Sequence, residues 1–187
     1  MSSGKSLFKQ TLIYGIATVL PRMLSFFLVR LYTDYMPTNE YGKVSIIFSF
    51  MVFFNVVLSY GMETAFFRFY SKEDDKRKVI STSTISLFWS TIGFLILFLL
   101  FRKDLALWSK INVEYIVFTI WILALDALAI IPFSKIRAEG RPIKYAIIKI
   151  LNVVINLSLN IFFLAFLPNW ATNTDNVFIQ TIYYEGF

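Results

Sequence analysis

Five ionisable side chains interrupt otherwise apolar stretches of this sequence: Arg22, Arg30, Glu63, Asp126 and Lys149. Asn152, Asn156 and Asn160 recur at every fourth position. At ~100° per residue, Tyr145, Lys149 and the three asparagines fall within an arc of roughly 80° on a helix. Three cations against two carboxylates leave one positive charge over, which suits an anionic passenger. Arg22 follows Pro21, whose missing N–H and ring bulk tend to open a helix. Its guanidinium is a planar fork that matches phosphate oxygens, and Arg30 or Lys149 adds point charge. The asparagine amides suit hydroxyl groups. Asp126 and Glu63 are the candidates for coupling to a proton or cation, because the sequence contains no histidine.

Such side chains must be carried by elements that keep them from lipid, and the sequence supplies those elements as apolar runs. Of 187 residues, 57% are hydrophobic and 16% charged, against roughly half and a quarter in a soluble domain. The excess lies in runs long enough to cross a ~30 Å hydrocarbon core. The chain reads as an all-α integral membrane protein with five transmembrane helices, at about 8–33, 43–69, 79–101, 113–134 and 143–167. Residues 168–187 read as an external loop that stops before a sixth span. Breakers separate the runs: D-Y-M-P-T-N-E-Y-G (Asp34 to Gly42), S-K-E-D-D-K-R-K (Ser71 to Lys78), the link Arg102 to Asn112, and a basic turn with Lys135, Arg137, Arg141 and Lys144. In the second span Ser45, Asn55, Ser59 and Glu63 share one face. The third span begins hydroxyl-rich (S-T-S-T-I-S-L-F-W-S-T) and packs there on neighbours.

Counted from span centres, Arg22, Asp126 and the pair Asn152/Asn156 lie within roughly 5 Å of the midplane. An ionised group there costs at least ~2.5–3.5 kcal/mol and marks a pathway or a protein interior. Arg22 with Asp126 is also readable as a structural ion pair, and the asparagines as interhelical partners worth ~0.6 kcal/mol each.

Basic residues set the orientation. Lys5, Lys9, Arg68, Lys72, Lys76, Arg77, Lys78, Lys135, Arg137, Arg141 and Lys144 fall on one side; Lys43, Arg102, Lys103 and Lys110 fall on the other. The N-terminus is therefore expected in the cytoplasm and the tail outside. With neither cysteine nor histidine, disulfides, Cys/His metal sites and imidazole-activated nucleophiles are excluded. No cofactor, metal or catalytic residue is expected, and the basic excess is explained by topology without nucleic acid.

Four motifs carry a resemblance: E-Y-G (Glu40 to Gly42), Y-G-M-E-T-A-F-F-R-F-Y (Tyr60 to Tyr70), D-A-L-A-I-I-P-F-S-K-I-R-A-E-G-R-P (Asp126 to Pro142) and K-x-x-N (Lys149 to Asn152). Together they resemble bacterial polysaccharide biosynthesis proteins, the O-antigen and oligosaccharide flippases of the multidrug/oligosaccharidyl-lipid/polysaccharide exporter superfamily. The likeness runs from about Leu7 to Pro168. It implies a two-lobe alternating-access transporter in the bacterial cytoplasmic membrane, of which residues 1–187 would be most of the N-terminal lobe, partnered by a C-terminal lobe and membrane lipids. It implies translocation of undecaprenyl-diphosphate-linked oligosaccharide for surface polysaccharide assembly, and no enzyme. Arg22, Arg30, Lys149, Asn152, Asn156 and Asn160 would then bind substrate, while Asp126 and Glu63 would couple to the ion. The alternatives are a multidrug or small-molecule exporter of the same fold, where an acidic site would be expected, and a membrane-embedded polysaccharide-assembly enzyme, where a sizeable loop or paired interfacial carboxylates would be expected.

Overall fold

A computed structural model describes residues 2–173; within them the side chains at 2–7, 9, 10, 14, 17, 18, 21, 22, 24, 25 and 171–173 lie outside the description. Every regular element among the described residues is helical: α1 (Ser2–Tyr35), α2 (Thr38–Ser59), α3 (Met62–Lys72), α4 (Lys76–Leu100), α5 (Arg102–Ser109), α6 (Val113–Ala138), α7 (Pro142–Ile161), a π-helical turn (Phe162–Phe166) and α8 (Leu167–Asn173). Four stretches are long and apolar enough to cross a membrane: Thr38–Lys72, Lys76–Leu100, Val113–Ala138 and Pro142–Trp170. The expected first span, 8–33, falls inside the single helix α1, several of whose side chains are among those not described.

The chain forms two compact units, one from Gly42–Arg141 and one from the segments on either side of it. In the outer-segment unit α1 packs along α7 and the π-helical turn. In the central unit α6 is the spine. Ile120, Leu123, Ala124, Ala127, Ile131 and Ser134 are buried at three-to-four spacing, the seam by which α6 meets α3, α4 and α5. Phe66, Val79, Leu87 and Ile131 form one buried cluster. Leu58, Leu123 and Ala127 form another. The turn before α4 is held by Asp75, whose carboxylate accepts from the N–H groups of Arg77 and Lys78 at 3.1 Å.

Several boundaries differ from those the sequence implies. The expected continuous span 43–69 is broken at Tyr60 and Gly61, which have φ of 31° and 74°. The link 102–112 contains a helix, α5, closed by Lys110 at φ 56°. Ile111 N–H reaches back to the Ala106 carbonyl at 3.2 Å, satisfying a last-turn acceptor. Pro132 does not end α6, which runs four residues past 134. A proline removes a single intrahelical bond, and the buried seam at Ile131 and Ser134 keeps the next turn in place. Nor does Pro168 end the last span. It follows closely on the π-helical turn, where Leu167 N–H already bonds to the Phe162 carbonyl five residues back and the regular ladder is interrupted. So residues 168–173 of the expected loop are helical, and the remainder of that loop lies outside the described residues.

Candidate functional site

Tyr60 and Gly61 break the second membrane stretch beside the polar residues of α2. An α-helix hides its own polar backbone; a break at membrane depth is tolerated only in protein or beside a water-filled cavity. Here the break borders an open hollow of about 300 Å³ lined by Asn55, Val56, Ser59, Gly61, Glu63, Thr64 and Ile130. Asn55, Ser59 and Glu63 are three of the four residues that share a face in the sequence; the break gathers them and adds Thr64. Gly61 supplies no side-chain cap to α3, and the Ser59 hydroxyl donates to the Val56 carbonyl at 3.0 Å.

The Glu63 carboxylate accepts from the Arg137 guanidinium, which also stacks over the Phe67 ring, 5.1 Å from its centroid. Arg137 sits in the last turn of α6, in the stretch that reads from sequence as a basic turn. Ending that span at 134 leaves Arg137 outside it, so sequence reasoning misses it as a site residue. On the other side of the break, the Tyr60 hydroxyl lies 3.3 Å from the hydroxyls of Ser86 and Ser90. That contact accounts for part of the hydroxyl-rich start of the third span. Asp126 lies at the middle of α6, on the exposed side away from the buried seam; it interacts with neighbouring groups, as does Lys149.

The polar stripe of α7 is drawn together differently. The Tyr32 hydroxyl of α1 donates to Asn160 Oδ1 at 2.7 Å. Asn160 Nδ2 donates to the Asn156 carbonyl at 2.8 Å and lies 3.2 Å from Asn156 Oδ1. Asn152 is exposed and Lys149 half-buried. Arg30 is exposed and pairs with Asp34, 3.6 Å away and one turn on. The Arg22 side chain lies outside the described residues, so neither its phosphate-binding role nor its pairing with Asp126 has a geometry here.

The family model described as polysaccharide biosynthesis protein matches residues 7–181. The chain belongs to that family. The match begins at the residue where the motif resemblance begins and extends past Pro168. No curated protein and no solved structure matches the chain. In this multi-pass membrane protein of a polysaccharide biosynthesis family, the polar groups within spanning helices include those at the α2–α3 break and on the α7 stripe.

Proposed function

We propose that the chain belongs to a flippase, and not to an enzyme, that moves undecaprenyl-diphosphate-linked oligosaccharide from the inner to the outer leaflet of the bacterial cytoplasmic membrane. One observation carries the reading: a polysaccharide biosynthesis family match covers membrane-spanning helices, one of which is broken around a polar hollow. Discontinuous helices at a binding site are a recurring feature of transporters that alternate access. Arg22, with Arg30 and Lys149, would hold the diphosphate. The amides and hydroxyls of Asn152, Asn156, Asn55, Ser59 and Thr64 would meet sugar hydroxyls, with Asn160, engaged by Tyr32, at the edge of that set. Asp126 or Glu63 would carry the coupling. The distribution of basic residues favours a cytoplasmic N-terminus.

The test uses cells lacking the full-length protein. Loss of a flippase leaves the finished lipid-linked unit in the membrane, shielded from reagents added outside. Loss of an assembly enzyme leaves a shorter or altered glycan. In complementation, Arg22→Lys should retain partial activity, Arg22→Ala less and Arg22→Glu least, all at normal membrane abundance. Rescue of Arg22→Ala by Asp126→Ala would show Arg22 to be a helix-pairing residue.

A further inference from the structure

α5 joins two membrane-spanning helices: α4 ends at Leu100 and α6 begins at Val113. A connector this short lies at the depth of the lipid headgroups. Its two sides differ sharply. Ala106, and Ile111 just past its end, are 7% and 4% exposed, whereas Leu107 and Trp108 are 78% and 74% exposed. Large apolar side chains turned outward at that depth belong in the boundary between headgroups and chains. Arg102 and Lys103 at the start of the helix and Lys110 just past its end are exposed, as is one carboxylate, Asp104, so the positive charges outnumber it three to one. Among the described residues none of the three is in an ion pair.

Against α5 lies an apolar slot of about 70 Å³, with Ile47, Phe50, Phe54, Phe98, Trp108 and Ile116 in its wall. Aromatic rings frame it: Phe50 and Trp108 are 5.6 Å apart between centroids, and Phe54 and Phe98 meet edge to face at 5.0 Å. Two hydroxyls enter the wall, and both are turned back on their own helices. Ser109 Oγ donates to the Leu105 carbonyl and Thr119 Oγ1 to that of Tyr115, each at 2.7 Å. The slot therefore offers a ligand hydrocarbon contact and nothing else. Its size admits a short piece of one flexible chain and excludes a sugar ring.

An apolar slot that runs from α5 along α6 as far as Leu123, with three cations against one carboxylate on and just past the helix that walls it, matches a molecule with an anionic head and a hydrocarbon tail. We infer that α5 and this slot form a binding site for an anionic glycerophospholipid. Part of one acyl chain enters the slot, and Arg102, Lys103 and Lys110 hold the phosphate. The inference does not rest on the flippase reading.

The test places the protein in phosphatidylcholine vesicles carrying traces of nitroxide-labelled phosphatidylglycerol or phosphatidylcholine. The motionally restricted fraction of each probe is read by electron spin resonance. Phosphatidylglycerol should be preferred by roughly fivefold, what one basic side chain contributes at a lipid surface. Arg102→Gln/Lys103→Gln/Lys110→Gln, all at exposed positions, should make the probes equal, and raised salt should do the same to the unaltered protein. Ile116→Phe, which fills the slot, should lower the restricted fraction of both probes. Equal restriction of the two probes in the unaltered protein, or a preference that survives the triple substitution, would overturn the site. Displacement of labelled phosphatidylglycerol by substoichiometric polyprenyl phosphate would overturn it too, by assigning the slot to an isoprenoid carrier.

Discussion

The two compact units handle polar groups inside membrane-spanning helices in opposite ways. On α7, Asn160 accepts from Tyr32 of α1 and donates to Asn156, so the Asn160 end of the stripe closes into a seam. Around the α2–α3 break, Asn55, Ser59, Glu63 and Thr64 border an open hollow. The first arrangement satisfies polar groups by joining helices, at a modest gain per bond. The second keeps them where a ligand or water can reach them. A polar stripe at helical spacing in the sequence is compatible with either outcome; the partner decides. The comparison predicts that substitutions in the α1–α7 seam change stability, whereas substitutions at the hollow change transport.

The largest effect should come from the break itself. Gly61 sits at φ 74°, and a Cβ added to it would meet no atom beyond its chain neighbours within 4 Å. A side chain there meets no clash, only the left-handed backbone, which costs an L-residue ~1–2 kcal/mol. Gly61→Val should therefore lower stability by about 2 kcal/mol in denaturant unfolding in detergent. Gly42→Ala, in the body of α2 and equally unobstructed, should raise it by ~0.5–1 kcal/mol. If Gly61→Val were neutral, the helix would run through unbroken and the hollow would vanish with the break.

Next in size is a gain. Thr91 of α4 is 1% exposed and its hydroxyl has no hydrogen-bond partner among the described residues. Burying a hydroxyl in that state costs on the order of 1 kcal/mol or more. Thr91→Val should stabilise by about 1 kcal/mol, and Thr91→Ser should not. Equal behaviour of the two would mean that the hydroxyl is satisfied.

Smaller again is the α1–α7 link. A double-mutant cycle of Tyr32→Phe and Asn160→Leu should give a coupling of ~0.6 kcal/mol, the average for polar pairs between membrane helices. Transport should not fall in either variant beyond what lost abundance explains. A transport defect at normal abundance would move Asn160 from the seam to the substrate path.

Long apolar runs and charge placement make part of this legible in the sequence: the helical class, four of the spanning stretches, and the shared face of Asn55, Ser59 and Glu63. The break at Tyr60 and Gly61 is hidden because it depends on two adjacent residues holding a positive φ within an apolar run; the Y-G pair is its signal. α5 is hidden because eight residues with three charges resemble a linker until their packing on α6 is seen. Arg137 is hidden because its partner, Glu63, is 74 residues away. The asparagine spacing is visible, but Tyr32, which turns that spacing into a seam, lies 128 residues from Asn160.

The smallest effect on folding is expected where the effect on transport should be clearest. The Glu63 and Arg137 side chains are 47% and 42% exposed, and where such a pair opens on a water-filled hollow it contributes only ~0.2–1 kcal/mol. Glu63→Gln and Arg137→Gln should each insert at normal abundance and unfold nearly as the parent does. If the hollow lies on the translocation path, both should still impair complementation of surface-polysaccharide assembly. The two losses should also differ in kind. Glu63→Gln shifts the local charge at the hollow toward positive, which an anionic substrate could use. Arg137→Gln shifts it toward negative, which would repel that substrate, so it should be the more severe variant. The double substitution restores the parent's net charge at the hollow and should therefore be less severe than Arg137→Gln. Equal and full activity in all three, with Asn160→Leu impaired, would reverse the assignment of the two units: the α7 stripe would face the substrate, and the hollow would be a structural gap beside a bent helix.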